Sequence, residues 1–590
     1  MSLALMHKAV AALTADDNLN AESLFKACIN TGLKSPGLYS NLAVALKRQG
    51  KYHESLEYLH QALTMQRDAG TLANMCNVLR LVKRVEESIK TGHESIEIDD
   101  TSNGRTNLAL AYLSAGDVDT ALLHGEEALQ LDPENSQALV LLYNCIFKKR
   151  GAIAAAPYLK RASLLSPNDD DIQIAIADYK GVTGRPEEAL SAYLEKQKQG
   201  LLRDDQQCTM AKLLCATGRQ HEAIDILRNV ISCEDHDVSP HRQLVQLIDY
   251  RSDDNQWLMA DLFSPSLEQR SQTTAMRRCL VGTQALVMDK LGKYDEAAKL
   301  FREKLCLQEI QSSPWDDVQR YKQTLRDEME AYSTSLLHYR SEVKSRCAEV
   351  TDSSKFILIV GLPRCGSTLI ETILALNPDC VDLGESAAMG QALAPAKQAG
   401  VITVDQMAQL GLRYADAVNA WTGGKEANYF TDKMLFNFIH LGVIDMVLPE
   451  SKIIACRRNP MDQVLSIIKE DFASGNEYSA NIECIAEMIC LYYDTIAFYQ
   501  QNLGQSRIVV YDYDQLVLNP LERIPAIIDQ IGWAWDDKYL TPELSSRNVV
   551  TASVNQARQP ISAKSVKGWR NYAELLAPAR EIFDKNGLKY

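Results

Sequence analysis

The sequence predicts two architectures in tandem: an all-α solenoid of helix–turn–helix repeats, then an α/β domain on a central parallel sheet. Three observations carry that expectation. The first half is self-similar at a period of 33–34 residues. At residue 355 the pattern changes to short apolar runs, each followed by a turn and a helical stretch. At 590 residues the chain is also too long for one hydrophobic core.

The repeats are read by register. LYSNLAVALKRQGKYHESLEYLHQAL starts at Leu38, and TNLALAYLSAGDVDTALLHGEEALQLDP starts at Thr106. Leu42 aligns with Leu108, Gly50 with Gly116 and Ala62 with Ala128, each 66 residues on, which is two units of 33. Further along the period is 34: Ala128 with Ala162, Pro133 with Pro167, Gly184 with Gly218, Ala189 with Ala223. A last unit holds Gly292, Tyr294, Ala297 and Phe301. Small residues such as Ala43, Ala109 and Ala121 let paired helices approach closely. The glycine closes the turn between them, where a left-handed conformation is wanted. This pattern resembles the tetratricopeptide repeat, with about eight units over residues 1–309 and an irregular stretch at 239–275. The unit at 69–101 is the weakest match. Such arrays either act as spacers or offer a concave surface to a protein or peptide partner, and the second use is expected here.

Residues 310–354 carry apolar and aromatic positions at helical spacing among charges, so one or two connecting helices are expected. Their charge run reads as a solvated face.

The α/β domain is expected over residues 355–590. KFILIVGLPRCGSTLIETILALNP reads as a buried strand (356–360), a glycine turn and a helix from about Ser367. Strand, turn and helix N-terminus form a phosphate-holding architecture, because amide hydrogens and the helix dipole converge there. Gly361 and Gly366 have the spacing of a nucleotide-binding phosphate loop, but Ser367 stands where a triphosphatase needs lysine. The cation is Arg364, inside the loop. Four further segments follow: CVDLGESAAMG with Glu385, NYFTDKMLFNF with Lys433, SKIIACRRNPMDQVLSIIKE with Arg458 and Ser466, and RIVVYDYDQLVLNP with Tyr513. Asp462 is placed to cap or charge the helix after Pro460.

The loop PRxGST and the pattern R-x-P-x-D-x-x-x-S resemble the donor-binding motifs of sulfotransferases, and residues 355 to about 580 resemble the tyrosylprotein sulfotransferase family. With the repeats, the whole chain resembles a bacterial tetratricopeptide-repeat sulfotransferase. The resemblance implies a P-loop-type fold and 3′-phosphoadenosine 5′-phosphosulfate as co-substrate, with no metal. It implies that Arg364, Cys365, Gly366, Ser367 and Thr368 hold the 5′ side of the donor. Arg458 and Ser466 would hold the 3′-phosphate, Tyr513 would lie on the adenine side, and Lys567, Gly568 and Trp569 would clamp the 3′-phosphate and the adenine. Glu385 would be the general base, Lys433 the cation at the leaving oxygen, and Ser553 a contact near the sulfuryl group. Cys365 departs from relatives, which often carry serine there. A thiol at a helix N-terminus has a reason for a lowered pKa; the residue also reads as a tolerated small side chain.

Composition bounds the rest. Hydrophobic residues at 46% and charged residues at 24% are ordinary for a globular protein and exclude disordered and collagen-like classes. The balance of 62 Lys+Arg against 77 Asp+Glu gives −15, which disfavours broad binding to nucleic acid or anionic membrane. No apolar run has spanning length, and the N-terminal MSLALMHKAVAALTADD, interrupted by His7 and Lys8, reads as an amphipathic helix. The 14 cysteines show no CxxC pairs and suit a reducing cytoplasm. The acceptor stays open between a protein tyrosine, a carbohydrate and a small-molecule hydroxyl. Two other classes compete: a non-enzymatic scaffold with a degenerate nucleotide domain, and a kinase or triphosphatase. The retained Arg364, Glu385, Lys433, Arg458 and Ser466 argue against the first, and Ser367 in the lysine position against the second.

Overall fold

The computed structural model describes residues 2–15, 17–150, 152–200, 202–233, 236–271, 273–310, 312–334, 340–393, 403–422, 424–472, 475–504, 506–545 and 559–590. The chain forms two compact units, Met1–Tyr179 and Lys180–Tyr590.

Helix pairs fill the first unit. They run Ser2–Thr14 with Asn18–Asn30, Pro36–Arg48 with Tyr52–Met65, Ala69–Leu81 with Val85–Ile98, Ser102–Ala115 with Val118–Leu131, and Ser136–Arg150 with Ala152–Leu165. Their packing follows the expected residues. Leu42, Ala43, Leu108, Ala109, Ala121 and Ala128 are all buried. Gly50 and Gly116 close their turns at φ 77° and 90°. The weakly matching third pair is as regular as its neighbours. Its turn residue is Lys83 at φ 62°, a lysine in the left-handed conformation that the neighbouring pairs give to Gly50 and Gly116. That substitution is why the unit reads poorly in sequence.

The second unit continues the pattern with Asp204–Ala216 and Gln220–Ile231, and again with Thr274–Lys290 and Tyr294–Glu309. Between these pairs lie short helices, Ser239–Leu244, Gln256–Leu262 and Pro265–Arg270, in the stretch expected to be irregular. The last pair packs directly on the α/β domain. Lys304, 2% exposed, donates to the Ile468 carbonyl at 2.8 Å and also to that of Glu470. Gln308 donates to Ser479 Oγ at 3.0 Å, and Lys469 pairs with Asp289 at 2.7 Å.

The connector forms two helices, Pro314–Thr334 and Arg340–Val350. Its charges are not all solvated, which corrects the reading of a uniformly wet face. Arg340 and Lys344 each reach buried Asp445 at 2.7 Å, and Tyr332 donates to the same carboxylate at 3.1 Å. Asp445 would be a costly lone charge inside the domain, and these partners offset that cost.

The α/β domain has a five-stranded, all-parallel sheet: β1 (Phe356–Val360), β2 (Cys380–Asp382), β3 (Tyr429–Asp432), β4 (Lys452–Arg457) and β5 (Ile508–Asp512), in the order β2-β3-β1-β4-β5. Every β1 residue is buried, as a strand covered on both faces requires. On one face Ile357, Ile359, Ile454, Cys456, Val509 and Tyr511 pack with Ile370, Ile373 and Leu374 of the helix Ser367–Leu374, and with Ile524, Ile527 and Ile528. The neighbours of β1 follow it in sequence by different routes, β3 on one side and β4 on the other, so the strand order reverses there. In open parallel sheets such a point leaves a crevice beyond the carboxyl ends of the strands. Of the cysteines, Cys233 and Cys306 are exposed, whereas Cys365 and Cys456 are buried.

Candidate functional site

Each strand of the sheet delivers one expected residue just past its carboxyl end. β1 leads into the loop 361–366, β2 to Glu385, β3 to Lys433, β4 to Arg458 and β5 to Tyr513.

The loop owes its shape to two left-handed residues, Arg364 at φ 67° and Gly366 at φ 91°. Gly366 is obligatory on a second count: a Cβ there would sit 2.3 Å from Cδ2 of the Tyr513 ring. Tyr513 therefore packs closely against the loop, and Arg458 stacks on its ring with the guanidinium carbon 5.0 Å from the centroid. Arg458, 8% exposed, donates to the carbonyls of Arg364 and Ser565, both at 3.2 Å. Its Nε is buried without a protein partner.

Arg364 donates through Nε to Ser466 Oγ at 3.0 Å, and its NH1 lies 3.6 Å from Glu470. Ser466 is thus joined to the loop arginine, on a helix, Pro460–Ile468, that starts just after Arg458. Burial lowers the Arg364 pKa; Glu470 opposes that and the like charge of Arg458 adds to it. Two guanidiniums share one enclosed place, and an anion between them would relieve both effects.

Across the crevice, Lys433 is 1% exposed, with Nζ 2.8 Å from Glu385 Oε1 and 4.0 Å from Glu371 Oε2. Glu385 is 57% exposed and so open to a molecule from solvent. Asp432, next in line, accepts from Tyr414 at 3.0 Å and from the Met434 amide at 3.1 Å. Burial nonetheless raises its pKa to about 6.

Cys365 is fully buried behind the loop. Burial works to raise its pKa, but hydrogen bonds from Cys456 and Ser367 outweigh it and hold the thiol below its usual value. Ser367 and Thr368, both buried, open the helix that follows.

The C-terminal segment closes the far side through a contact that sequence reading missed. Asn459, and not Asp462, caps the helix Pro460–Ile468, its side chain accepting from the Asp462 amide at 3.1 Å. Asp462, 2% exposed, instead accepts the amides of Lys567 at 2.6 Å and Trp569 at 2.9 Å. Lys567 takes φ 62° to make this turn, and its side chain is exposed. Gly568 follows at the start of a short 3-10 turn, and Trp569 packs edge-on against Tyr590. Ser565 adds a carbonyl for Arg458 and a hydroxyl 3.2 Å from Tyr513 OH. Ser553 lies outside the described residues.

Two family models match parts of the chain. Residues 357–537 match the model of the Sulfotransferase family, and residues 37–69 match a Tetratricopeptide repeat. An uncharacterized protein of Aquifex aeolicus (strain VF5) is 24% identical over 396 residues, covering 64% of this chain and 50% of that protein. The Protein-tyrosine sulfotransferase 2 of Gallus gallus is 25% identical over 237 residues, covering 36% of this chain and 62% of that protein. The chain thus spans between half and under two thirds of these relatives' lengths. Among solved structures, the sulfotransferase domain of the Synechococcus PCC 7002 olefin synthase matches at 18% identity with a TM-score of 0.31, covering 40% of this chain and 95% of that one. A thermophilic TPR protein of Thermus thermophilus matches at 20% identity with a TM-score of 0.28, covering 30% of this chain and 99% of that one. Residues 357–537 are accordingly a sulfotransferase-family domain, carried in one chain with tetratricopeptide repeats.

Proposed function

We propose that the protein transfers a sulfuryl group from 3′-phosphoadenosine 5′-phosphosulfate to a hydroxyl acceptor. The observation that carries this reading is the convergence of Arg364, Lys433 and Arg458, three enclosed cations, around a glycine loop and a helix N-terminus, with an exposed carboxylate, Glu385, beside them. The residues fit such a donor: the unpartnered, buried Nε of Arg458 offers a hydrogen bond to an anion. The donor supplies a sulfur that bonds to the acceptor oxygen as its bond to the 5′-phosphate oxygen breaks.

The chain's part is positioning and charge stabilisation. Arg458 and Ser466 anchor the 3′-phosphate, and Arg364 with the helix N-terminus holds the 5′ side. Tyr513 and the turn 567–569 wall the adenine. Glu385 takes the acceptor proton, and its 2.8 Å contact with Lys433 holds the carboxylate in place for that step. Lys433 then stands within reach of the oxygen on which negative charge grows. A protein tyrosine is the acceptor we favour, given the likeness to the Gallus gallus enzyme, and the repeats would recruit that acceptor or a partner.

The test is incubation of the full chain with sulfur-labelled donor and a tyrosine peptide library, beside Arg458→Ala. Label is expected on tyrosine. Arg458→Ala is expected to weaken binding of adenosine 3′,5′-bisphosphate by about 10–100-fold while adenosine 5′-phosphate, lacking the 3′ group, barely changes. Equal losses for both nucleotides would contradict the assignment of Arg458.

A further inference from the structure

The irregular stretch between the helix pairs of the second unit holds a cluster that sulfuryl transfer does not use. His236 Nε2 and His241 Nε2 meet the same atom, Asp261 Oδ2, at 2.9 and 2.8 Å. The imidazoles are 3% and 0% exposed, and the carboxylate 27%.

The hydrogen positions are decided by the other ring nitrogens. His236 Nδ1 lies 2.8 Å from the Cys233 carbonyl oxygen. A carbonyl only accepts, so Nδ1 carries the hydrogen. A ring carrying that one hydrogen turns a bare Nε2 lone pair toward a carboxylate oxygen. Two lone pairs 2.9 Å apart repel unless a cation lies between them. His241 supplies no remedy. With no ion bound, its Nε2–H serves its own contact with Asp261, and its buried Nδ1 has no partner that would favour a second proton; an ion that takes the Nε2 lone pair moves that one hydrogen to the unengaged Nδ1. One nitrogen fastened to a backbone carbonyl and the other presented to a shared point is the usual posture of a metal-binding imidazole.

We propose that His236, His241 and Asp261 form a site for a divalent transition metal of the zinc class, with water completing the coordination on the exposed side of Asp261. The three ligand atoms lie within 4.8 Å of one another. A tetrahedral ion about 2.1 Å from each would space them about 3.4 Å apart, so each N···O separation opens by about half an ångström. Two imidazoles with one carboxylate suit zinc and its neighbours and do not suit calcium or magnesium, which prefer all-oxygen shells.

The ion's work is structural. It joins His241 on Ser239–Leu244 to Asp261 on Gln256–Leu262, two short helices with little core of their own. The residue after His241 is Arg242, which donates to the Lys469 carbonyl at 3.1 Å and lies 3.7 Å from Glu470. Glu470 in turn faces Arg364. Clamping the two helices steadies the ground behind the donor loop.

The test uses the full chain, stripped with a chelator and titrated with Co²⁺ and then Zn²⁺. One equivalent of Co²⁺ is expected, with the visible absorption of a tetrahedral ion, displacement by Zn²⁺, and a rise in Tm. Asp261→Asn keeps size and hydrogen bonding at a part-exposed position and should fold, as circular dichroism would verify. It is expected to lower Co²⁺ affinity at least about 100-fold, and His236→Gln likewise. Cys233→Ser, which removes the exposed thiol nearby, should leave binding unchanged. Failure to take up one equivalent overturns the proposal, as does uptake undiminished in both ligand variants. Nitrogen NMR showing both His236 nitrogens protonated in excess Zn²⁺ also overturns it, because a proton would then fill the place assigned to the ion.

Discussion

Glu385 and Lys433 sit 2.8 Å apart but differ sharply in exposure, the carboxylate open and the ammonium enclosed. That contrast separates their roles. Glu385→Gln keeps size and polarity and loses basicity, so transfer is expected to fall by about 10²–10⁴-fold with donor affinity nearly intact. A single-turnover rate matching wild type would place the base elsewhere. Asp432 gives a pH signature. Its pKa is raised from 3.8 to about 6 in the fold, so the folded state holds the proton more tightly than the unfolded chain. The stability it contributes is full below about pH 4 and is lost as pH rises to about 6. Asp432→Asn should flatten that fall, a difference on the order of 2–3 kcal/mol. Denaturant melts at pH 4 and pH 7 for both proteins would measure it, and parallel pH profiles would refute it. Arg364, Arg458 and Lys433 stood out in sequence because each follows a short apolar run within a few residues, whereas Glu385 was reached only through the family resemblance. Arg364's partner was not: the Ser466 hydroxyl is 102 residues away, and only the sheet order brings them together. The cluster around His236 was equally silent, since its carboxylate lies 25 residues on, across a stretch with no period.

At the scale of elements, the helix Pro460–Ile468 ties three parts of the site together. Arg458 stands just before its first turn, its last turns hold Ser466, and Asp462 fixes the turn 567–569 by two amides. Asp462→Ala leaves two amides without their acceptor and should cost about 2–4 kcal/mol. It should also release the C-terminal segment from the site, seen as faster proteolysis after residue 559 and weaker adenosine 3′,5′-bisphosphate binding. If binding held while stability dropped, the turn would be structural only. Of the two sequence readings of Asp462, the charge in the first turn holds and the cap does not, and its amide partners went unseen because local rules see only neighbours and these lie 105 and 107 residues ahead. β2 escaped notice for a different reason. Three residues cannot show a period, and its strand character comes from pairing with β3.

On the scale of the whole molecule, the repeat helices nearest the α/β domain belong to its fabric. Lys304 is enclosed against the carbonyls of Ile468 and Glu470, and burial lowers its pKa to about 8. Phe301 packs on Tyr572 with ring centroids 6.0 Å apart. A fragment of residues 180–590 should therefore fold and bind donor analogue as the full chain does. One beginning near residue 310 would expose Tyr478, Ser479 and Tyr572 and strip two carbonyls of their cation, so it should aggregate. Gel filtration and calorimetry on both fragments would decide; a monodisperse 310–590 fragment with full donor affinity would contradict this view. Outside 239–275 the repeats were legible in sequence, since a period shared across many units survives the failure of any one.

The enclosure of Cys365 has a practical consequence. Only Cys233 and Cys306 stand exposed, so a thiol reagent should modify those two at once. Cys365 belongs to the loop 361–366 with its side chain fully enclosed, and it can react only while that loop opens. With Cys233, Cys306 and the half-buried Cys279 replaced by serine, the rate of its slow labelling, read at Cys365 by peptide mapping, becomes a clock for that opening. Adenosine 3′,5′-bisphosphate should slow the clock in proportion to its occupancy, which would give the motion of the loop a rate constant without a spectroscopic probe.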